Sequence, residues 1–253
     1  MAETKTKNDA PTLVAHRGYP LRYPENTLIG FQAAVEAGAA WVECDVQLSR
    51  DQVPFLCHDA SLKRTAGIDR PIMDLTAAEL ADVDVGERAR FEVRFKSTRP
   101  TKLEVLALWL KALPDVRVFV EIKRQSLKHF GAALVVQRVM QAVRPVRKQC
   151  IIISFDAPCL EVAREHGAVA VGWAIKDAEP ATVATAAALK PEFLFAGDTL
   201  FPTAHAALPG PWRWAVYEIQ DAVYARRLAA QGAQLIETDA IAEMHNAFAA
   251  NPA

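Results

Sequence analysis

Residues 41–59 have the sequence WVECDVQLSRDQVPFLCHD, which has the pattern of a buried strand interrupted by two carboxylates. Successive side chains of a strand point to opposite faces, so Val42 and Val46 fall in one apolar row while Glu43 and Asp45 fall in the other. Two unpaired carboxylates inside a protein cost roughly several kcal/mol unless a cation or strong hydrogen bonds compensate them. The stretch therefore predicts a cation-binding site on one face of this strand, with further ligands supplied elsewhere in the chain.

Short β-rich runs alternate with longer helical patterns along the chain, which is typical of parallel βαβ units. Strands are predicted over residues 12–16, 40–47, 116–123, 149–154, 168–174, 193–196, 213–217 and 235–238. Helices are predicted over residues 26–37, 102–113, 127–143, 158–166, 180–189, 199–207, 220–231 and 241–249. Eight such pairs predict a TIM-type (β/α)8 barrel, an α/β fold whose active site gathers at the carboxyl ends of the strands. A doubly wound sheet is the alternative, but the turn HRGYPLRYPEN lacks the GxGxxG pattern.

Residues 59–101 interrupt the alternation after the second strand. Structureless loops of this length are uncommon in compact domains. LTAAELADV, residues 75–83, is helix-like, and RARFEVRF, residues 88–95, alternates like a strand. We therefore expect one barrel domain over residues 1–253, with a polar tail at 1–11 and a small inserted subdomain above the active-site face.

Composition excludes several classes of protein and partner. The chain has 253 residues, is 51% hydrophobic and has a formal net charge of -1, which predicts a large core and no general attraction to nucleic acid or anionic membranes. The polar start and the absence of an apolar run of about 18 residues predict a soluble cytoplasmic protein with no stable membrane association. The cysteines lack CxxC spacing and are predicted to be reduced packing residues: Cys44, Cys57, Cys150 and Cys159.

Imidazole and charged side chains fall where a barrel places its chemistry. The first strand ends in His16 and Arg17, and His58 closes the run VPFLCH. In VRVFVEIKR, Glu121 and Lys123 share one face, which repeats the alternation of the opening stretch. Three carboxylates from two strands, with no thiolate, suit Mg²⁺ or Ca²⁺ better than zinc.

A dication beside an Arg and a Lys suits an anion with several oxygens, and phosphate is the obvious candidate. Two histidines near this anion suit general acid and general base roles, because the ordinary pKa of imidazole lies near 6.5. The residues therefore predict phosphodiester cleavage of a small-molecule substrate. Which histidine is the base stays open.

The chain resembles the glycerophosphodiester phosphodiesterases in an ordered set of motifs, HR, ExD, HD and ExK. The similarity extends over residues 12–240 and includes LTAAELADVDVG, TKLEVLALWL, VFVEIK, IISFD and GAQLIETD. It implies a TIM-type barrel with an insertion after the second strand. It also implies hydrolysis of glycerophosphodiesters, such as glycerophosphocholine or glycerophosphoethanolamine, to glycerol 3-phosphate and an alcohol, an activity of glycerol and lipid metabolism.

Carried over by position, the resemblance implies an acid–base pair, three ligands for Ca²⁺ or Mg²⁺ and two phosphate contacts: His16 and His58; Glu43, Asp45 and Glu121; Arg17 and Lys123. Gln52 stands where the family usually has a glycine, and Tyr217 replaces an asparagine. The second departure affects the shape of the pocket and thus the leaving alcohol. Trp214 is interpreted either as a substrate contact, a wall for the glycerol moiety, or as a barrel core residue.

Several neighbours of these residues have two interpretations each. Asp59 orients the His58 ring or joins the metal ligands, Asn26 contacts ligand or caps the first helix, and Asp239 serves the site or caps the last helix. A weak phosphate-ester binding module and a lysophospholipid-cleaving variant at a membrane are the alternative functions. The complete acid–base set disfavours the first, and the alternation of Phe91, Val93 and Phe95 with charged residues disfavours an apolar rim for the second.

Overall fold

The computed structural model describes residues 10–250, and at its centre eight parallel strands close into a barrel. In this part of the chain the strands are β1 (Thr12–Ala15), β2 (Trp41–Leu48), β3 (Pro54–Leu56), β4 (Arg117–Ile122), β5 (Cys150–Ser154), β6 (Val171–Ala174), β7 (Phe193–Gly197), β8 (Arg213–Tyr217) and β9 (Leu235–Thr238). Strand β1 pairs in parallel with both β2 and β9, which closes the barrel. The predicted (β/α)8 barrel is confirmed. The short β3 was not predicted; it pairs antiparallel with β2 as a hairpin beside the barrel.

Helices surround the barrel and connect its strands. They are α1 (Leu28–Glu36), α2 (Lys63–Ala66), α3 (Ala77–Leu80), α4 (Arg88–Phe91), α5 (Leu103–Leu110), α6 (Arg124–Phe130), α7 (Ala132–Ala142), α8 (Ala157–Glu165), α9 (Pro180–Leu189), α10 (Phe201–Ala207), α11 (Ala222–Ala230) and α12 (Ile241–Ala250). The single helix predicted over 127–143 is instead α6 and α7, because Gly131 between them has a φ of 84°, which ends a right-handed helix. The predicted tail falls largely on residues 1–9, outside the described residues.

The core has two layers separated by the barrel wall. One layer lies between strands and helices and includes the outward row of Val42, Cys44 and Val46 on β2. The other fills the barrel interior, where Phe119 packs edge to face against Phe193 with ring centroids 5.1 Å apart. Burial of each large apolar side chain contributes about 1.5–3 kcal/mol, so both layers stabilise the barrel.

The four cysteines are buried and free, as predicted. No helix within residues 10–250 is long and apolar enough to span a bilayer.

The insertion after β3 has its own small apolar cluster, which includes Leu62, Ile72 and Leu80. Helix α3 begins with a capping box formed by Thr76 and Glu79, in agreement with the predicted helix at 75–83.

The strand predicted over 88–95 is wrong, because its first half is α4 and turns follow. The rings of Phe91 and Phe95 pack edge to face with centroids 5.1 Å apart, which is much closer than residues four apart in an extended strand can come. The apparent strand pattern of residues 88–95 thus reflects two aromatic residues whose rings contact each other in a compact turn.

The insertion is docked onto the loop that follows β1. Glu87 accepts a hydrogen bond from the Glu25 backbone at 2.6 Å, and Arg64 forms an ion pair with the Glu25 carboxylate at 2.6 Å. Arg90 donates to the Pro20 carbonyl. These contacts hold the insertion beside the carboxyl ends of β1 and β2.

Candidate active site

Strands β2 and β4 bring the three predicted carboxylates together. Their register pairs Asp45 with Glu121, and the strand alternation turns both side chains, with Glu43, to the barrel interior. One oxygen from each of these three residues lies within 4.8 Å of the others. The three carboxylates that were predicted to bind a cation therefore form a compact cluster at the carboxyl end of the barrel.

Asp45 is held as an ionised carboxylate by two cations and an amide. Lys123 Nζ lies 3.1 Å from Asp45 Oδ1, and Arg17 Nε lies 3.1 Å from Oδ2. Asn26 donates from Nδ2 to Oδ2 at 2.9 Å and accepts from the Asp45 backbone N–H at 3.1 Å. Burial alone raises the pKa of Asp45, but Lys123 and Arg17 outweigh it and hold this pKa below its ordinary value.

Glu43 lacks such compensation. The Arg17 backbone N–H donates to Glu43 Oε2 at 3.0 Å, whereas Oε1 is buried and has no hydrogen-bond partner within residues 10–250. Burial raises the pKa of Glu43 well above its usual range, and burial also raises the pKa of Glu121 although Lys123 contacts it at 2.8 Å. An unpartnered buried oxygen in an all-oxygen donor set fits a hard divalent cation.

Each of the two histidines is oriented by a carboxylate at its Nδ1 atom. His16 Nδ1 lies 2.9 Å from Asp239 Oδ1, and His58 Nδ1 lies 2.8 Å from Asp59 Oδ1. Asp59 is itself held by Arg64 at 2.8 Å. This arrangement leaves Nε2 of each ring to exchange a proton with a ligand.

The environment of His16 favours its charged form. Burial lowers the pKa of His16, but the hydrogen bond with Asp239 and the charge of Glu43 outweigh burial and raise the pKa to about 9. His16 Nε2 lies 3.9 Å from Glu43 Oε2.

Two adjoining spaces open onto these residues. A cavity of about 90 Å³ is lined by His16, Arg17, Glu43, His58, Glu121, Lys123, Ile153, Phe155, Ala174, Phe195, Tyr217, Glu218 and Glu237. A wider groove of about 750 Å³ shares His58, Glu121, Lys123 and Phe155 with it. The cavity thus places both imidazoles, two of the carboxylates and both cations around one small volume.

Trp214 is the predicted contact that the structure places elsewhere. It lies on the outward face of β8, is 3% exposed and packs against Phe201 and His205 at ring-centroid distances of 5.6 and 5.8 Å. Alternation along β8 turns Ala215 and Tyr217 inward instead. Its interpretation as a substrate contact is corrected: Trp214 is a core residue.

Two site residues were not assigned from the sequence. Asp239, left open as a site residue or a helix cap, is the hydrogen-bond partner of His16. Glu237 was missed; it is 3% exposed, its Oε1 has no partner in the described part of the chain, and burial raises its pKa to about 7. The run LIET interrupts an apolar strand with a carboxylate as β2 does, so the same alternation could have found it.

Comparison with protein families gives one match over most of the chain. The profile described as the Glycerophosphoryl diester phosphodiesterase family matches residues 16–242. A glycerophosphodiester phosphodiesterase of Caldanaerobacter subterraneus is 32% identical over 147 residues, which are 57% of this chain and 58% of that protein. Glycerophosphodiester phosphodiesterase domain-containing protein 4 of Macaca fascicularis is 52% identical over 66 residues, 26% of this chain and 10% of that protein. The matched stretches span less than two thirds of these relatives.

Solved structures share the fold along nearly the whole chain. A phosphodiesterase of Oleispira antarctica in complex with sn-glycerol-3-phosphate has a TM-score of 0.84 and 22% identity, with 95% of this chain and 97% of that one covered. A glycerophosphodiester phosphodiesterase of Parabacteroides distasonis has a TM-score of 0.77 and 20% identity, with coverages of 96% and 98%.

Proposed function

The chain belongs to the glycerophosphoryl diester phosphodiesterase family, and we propose that it catalyses metal-dependent hydrolysis of glycerophosphodiesters to glycerol 3-phosphate and an alcohol. Glycerophosphocholine and glycerophosphoethanolamine are substrates of this class. The observation that carries the proposal is the single cavity lined by His16, His58, Glu43, Glu121 and Lys123. The Oleispira phosphodiesterase holds sn-glycerol-3-phosphate, which is the product that this reaction releases.

Glu43, Asp45 and Glu121 would hold the divalent cation, Ca²⁺ or Mg²⁺, because they converge and supply only oxygen ligands. A cation bound there supplies Lewis-acid stabilisation of charge on a nonbridging phosphate oxygen.

Arg17 and Lys123 bind the phosphate. The Arg17 guanidinium lies 3.1 Å from Asp45 and 3.4 Å from Glu25, and these carboxylates fix its direction at the wall of the cavity. Burial lowers the pKa of both cations, but the surrounding carboxylates outweigh it and keep each pKa above its ordinary value. Both side chains therefore stay charged and bind nonbridging oxygens at every working pH.

His16 and His58 move the protons. One imidazole removes the proton from the glycerol hydroxyl next to the phosphoester, and this oxygen attacks phosphorus while the other imidazole protonates the departing alkoxide. Water then opens the cyclic phosphate with the roles reversed, which restores both protonation states. Asp239 and Asp59 keep each ring oriented through Nδ1 during these transfers.

The test is product analysis on metal-stripped protein. Treatment with EDTA should abolish release of glycerol 3-phosphate from glycerophosphocholine in a coupled assay, and added Ca²⁺ or Mg²⁺ should restore it. Unchanged turnover in the stripped sample contradicts the metal role. Absence of glycerol 3-phosphate from both glycerophosphocholine and glycerophosphoethanolamine with metal present contradicts the function, and a parallel choline-release assay on a lysolipid detects the alternative activity.

A further inference from the structure

The groove beside His58 is far larger than the cavity between the two histidines, about 750 Å³ against about 90 Å³. Both spaces have His58, Lys123 and Phe155 in their walls, so a ligand bound to Lys123 reaches into each of them. The smaller cavity suits the three-carbon glycerol moiety. The wider groove is then the space left for the leaving alcohol.

Three cations line this groove besides Lys123. Arg124 and Lys128 lie on α6, and Lys176 follows β6; all three are exposed. Among residues 10–250 no carboxylate forms an ion pair with any of these three side chains. We call Arg124, Lys128 and Lys176 the basic triad.

The carboxylates in the groove wall are engaged elsewhere. Asp156 caps α8 by accepting a hydrogen bond from the Cys159 backbone N–H at 2.9 Å. Glu121 contacts Lys123 at 2.8 Å. The groove wall therefore has four cations, Lys123 and the basic triad, against these two carboxylates, which leaves an excess of positive charge.

Two members of the basic triad come from different elements to the same aromatic ring. The Arg124 guanidinium lies 5.7 Å and the Lys176 ammonium 5.5 Å from the centroid of Phe155. An anion at this part of the groove wall would therefore be attracted by two positive charges that come from different elements. Phe155 also lines the catalytic cavity, so this anion would lie beside that cavity.

We propose that the basic triad binds a second anionic group, a phosphomonoester, on the leaving alcohol of the substrate. A phosphomonoester carries nearly two charges and three acceptor oxygens, which matches three separate cationic donors better than a carboxylate does. A cationic alcohol such as choline would still be released, with a lower kcat/KM than a phosphorylated alcohol. This inference rests on the proposed function and adds a preference among glycerophosphodiesters.

The experiment compares two substrates that differ by one phosphate, glycerophosphoinositol and glycerophosphoinositol 4-phosphate. We expect the wild-type kcat/KM to be about tenfold higher for the phosphorylated substrate at low salt, and the preference to shrink as salt screens the groove. The triple variant Arg124→Gln, Lys128→Gln, Lys176→Gln should lose about tenfold in kcat/KM on the phosphorylated substrate and less than about twofold on glycerophosphoinositol.

Lys111→Gln is the matched control, because it removes an exposed positive charge at the end of α5, away from the groove. It should leave both kcat/KM values unchanged. Turnover of both substrates without a preference, or an equal loss on both in the triple variant, overturns the inference and leaves the proposed function standing. Turnover of neither substrate by the wild type refutes the proposed function and the inference together.

Discussion

Strands β2 and β4 have two faces that are buried alike and differ in chemistry. On the outer face Val42 and Val118 are 0% and 1% exposed, and on the inner face Glu43 and Asp45 are 2% and 1% exposed. The outward-facing residues require only apolar side chains of suitable size on the surrounding helices to pack against. The inner residues depend on partners, and Asp45 has them whereas Glu43 Oε1 has none in the described residues. Burial therefore does not distinguish a core from a site; the satisfaction of each buried polar atom does.

The largest effect expected on the inner side is the loss of an imidazole. His16→Ala and His58→Ala should each lower kcat for glycerol 3-phosphate release by about 10²–10⁴, because each removes one proton-transfer group. Far-UV circular dichroism should remain that of the wild type, since neither ring belongs to the two apolar layers of the core. A variant that keeps half of the wild-type rate would contradict the acid–base assignment.

Substitutions at two adjacent residues of β2, one on each face, should have opposite effects on activity and stability. Glu43→Gln should lower kcat by about 10²–10³ through loss of charge stabilisation, while the metal-free protein becomes more stable because a buried, unpartnered carboxylate is removed. Val42→Ala should keep the wild-type kcat and lose about 2 kcal/mol of unfolding free energy through lost burial and a residual cavity.

The two β2 variants are compared with the wild type by steady-state kinetics with metal present. Their unfolding free energies are measured by urea denaturation of the metal-free proteins. If the metal-free Glu43→Gln protein is less stable than the wild type, Glu43 has a structural role like that of the outward-facing residues.

Asp239→Asn tests how the inner face controls His16. The folded-state pKa of His16 is raised from 6.5 to about 9, so the stabilisation is fully present below pH 6.5 and is lost as the pH rises through about 9. The variant should therefore be less stable than wild type by about 1.5–3 kcal/mol at pH 6, with a difference that vanishes near pH 10. Its kcat should fall about tenfold, since the ring loses its orienting partner. A stability difference that does not vary with pH would contradict this link.

The smallest change in activity and stability is expected for Gln52, which lies in the hairpin turn between β2 and β3 and on neither face of the sheet. Gln52 has a φ of 64°, a left-handed conformation that costs a residue with a side chain about 1–2 kcal/mol. Gln52→Gly relieves this strain but removes the hydrogen bond from Arg138 at 3.0 Å, worth about 0.5–1.5 kcal/mol. We expect unchanged kcat and a Tm within about 4 °C of the wild type. A change in kcat would mean that the hairpin, through β2, sets the position of the site.

Two patterns in the sequence predicted different parts of the molecule. Alternating strand-like and helical runs predicted the barrel, and the alternation of side chains along a strand predicted the position of the carboxylates. It placed Glu43, Asp45 and Glu121 on interior faces, and the register of β2 and β4 confirms that they meet. The same rule, applied to β8, places Trp214 on the outward face, so it could have decided between the two interpretations of that residue.

Other features depend on contacts that the local sequence does not encode. The pairing of Asp239 with His16 joins positions 223 residues apart, and it exists because barrel closure brings β9 beside β1. The short helix and turns in place of the strand predicted over 88–95 reflect packing within the insertion, where the rings of Phe91 and Phe95 contact each other. Local propensity is weakest where such tertiary contacts decide the conformation.

Carboxylates from β2 and β4 are proposed to hold a divalent cation beside two imidazoles, and metal binding tests this claim without depending on turnover. Isothermal titration of Ca²⁺ into metal-stripped protein should show one site in the wild type and in Val42→Ala, and no binding in Glu43→Gln. Equal Ca²⁺ binding by Glu43→Gln and wild type, or no binding of Ca²⁺ or Mg²⁺ by either protein, would contradict the claim.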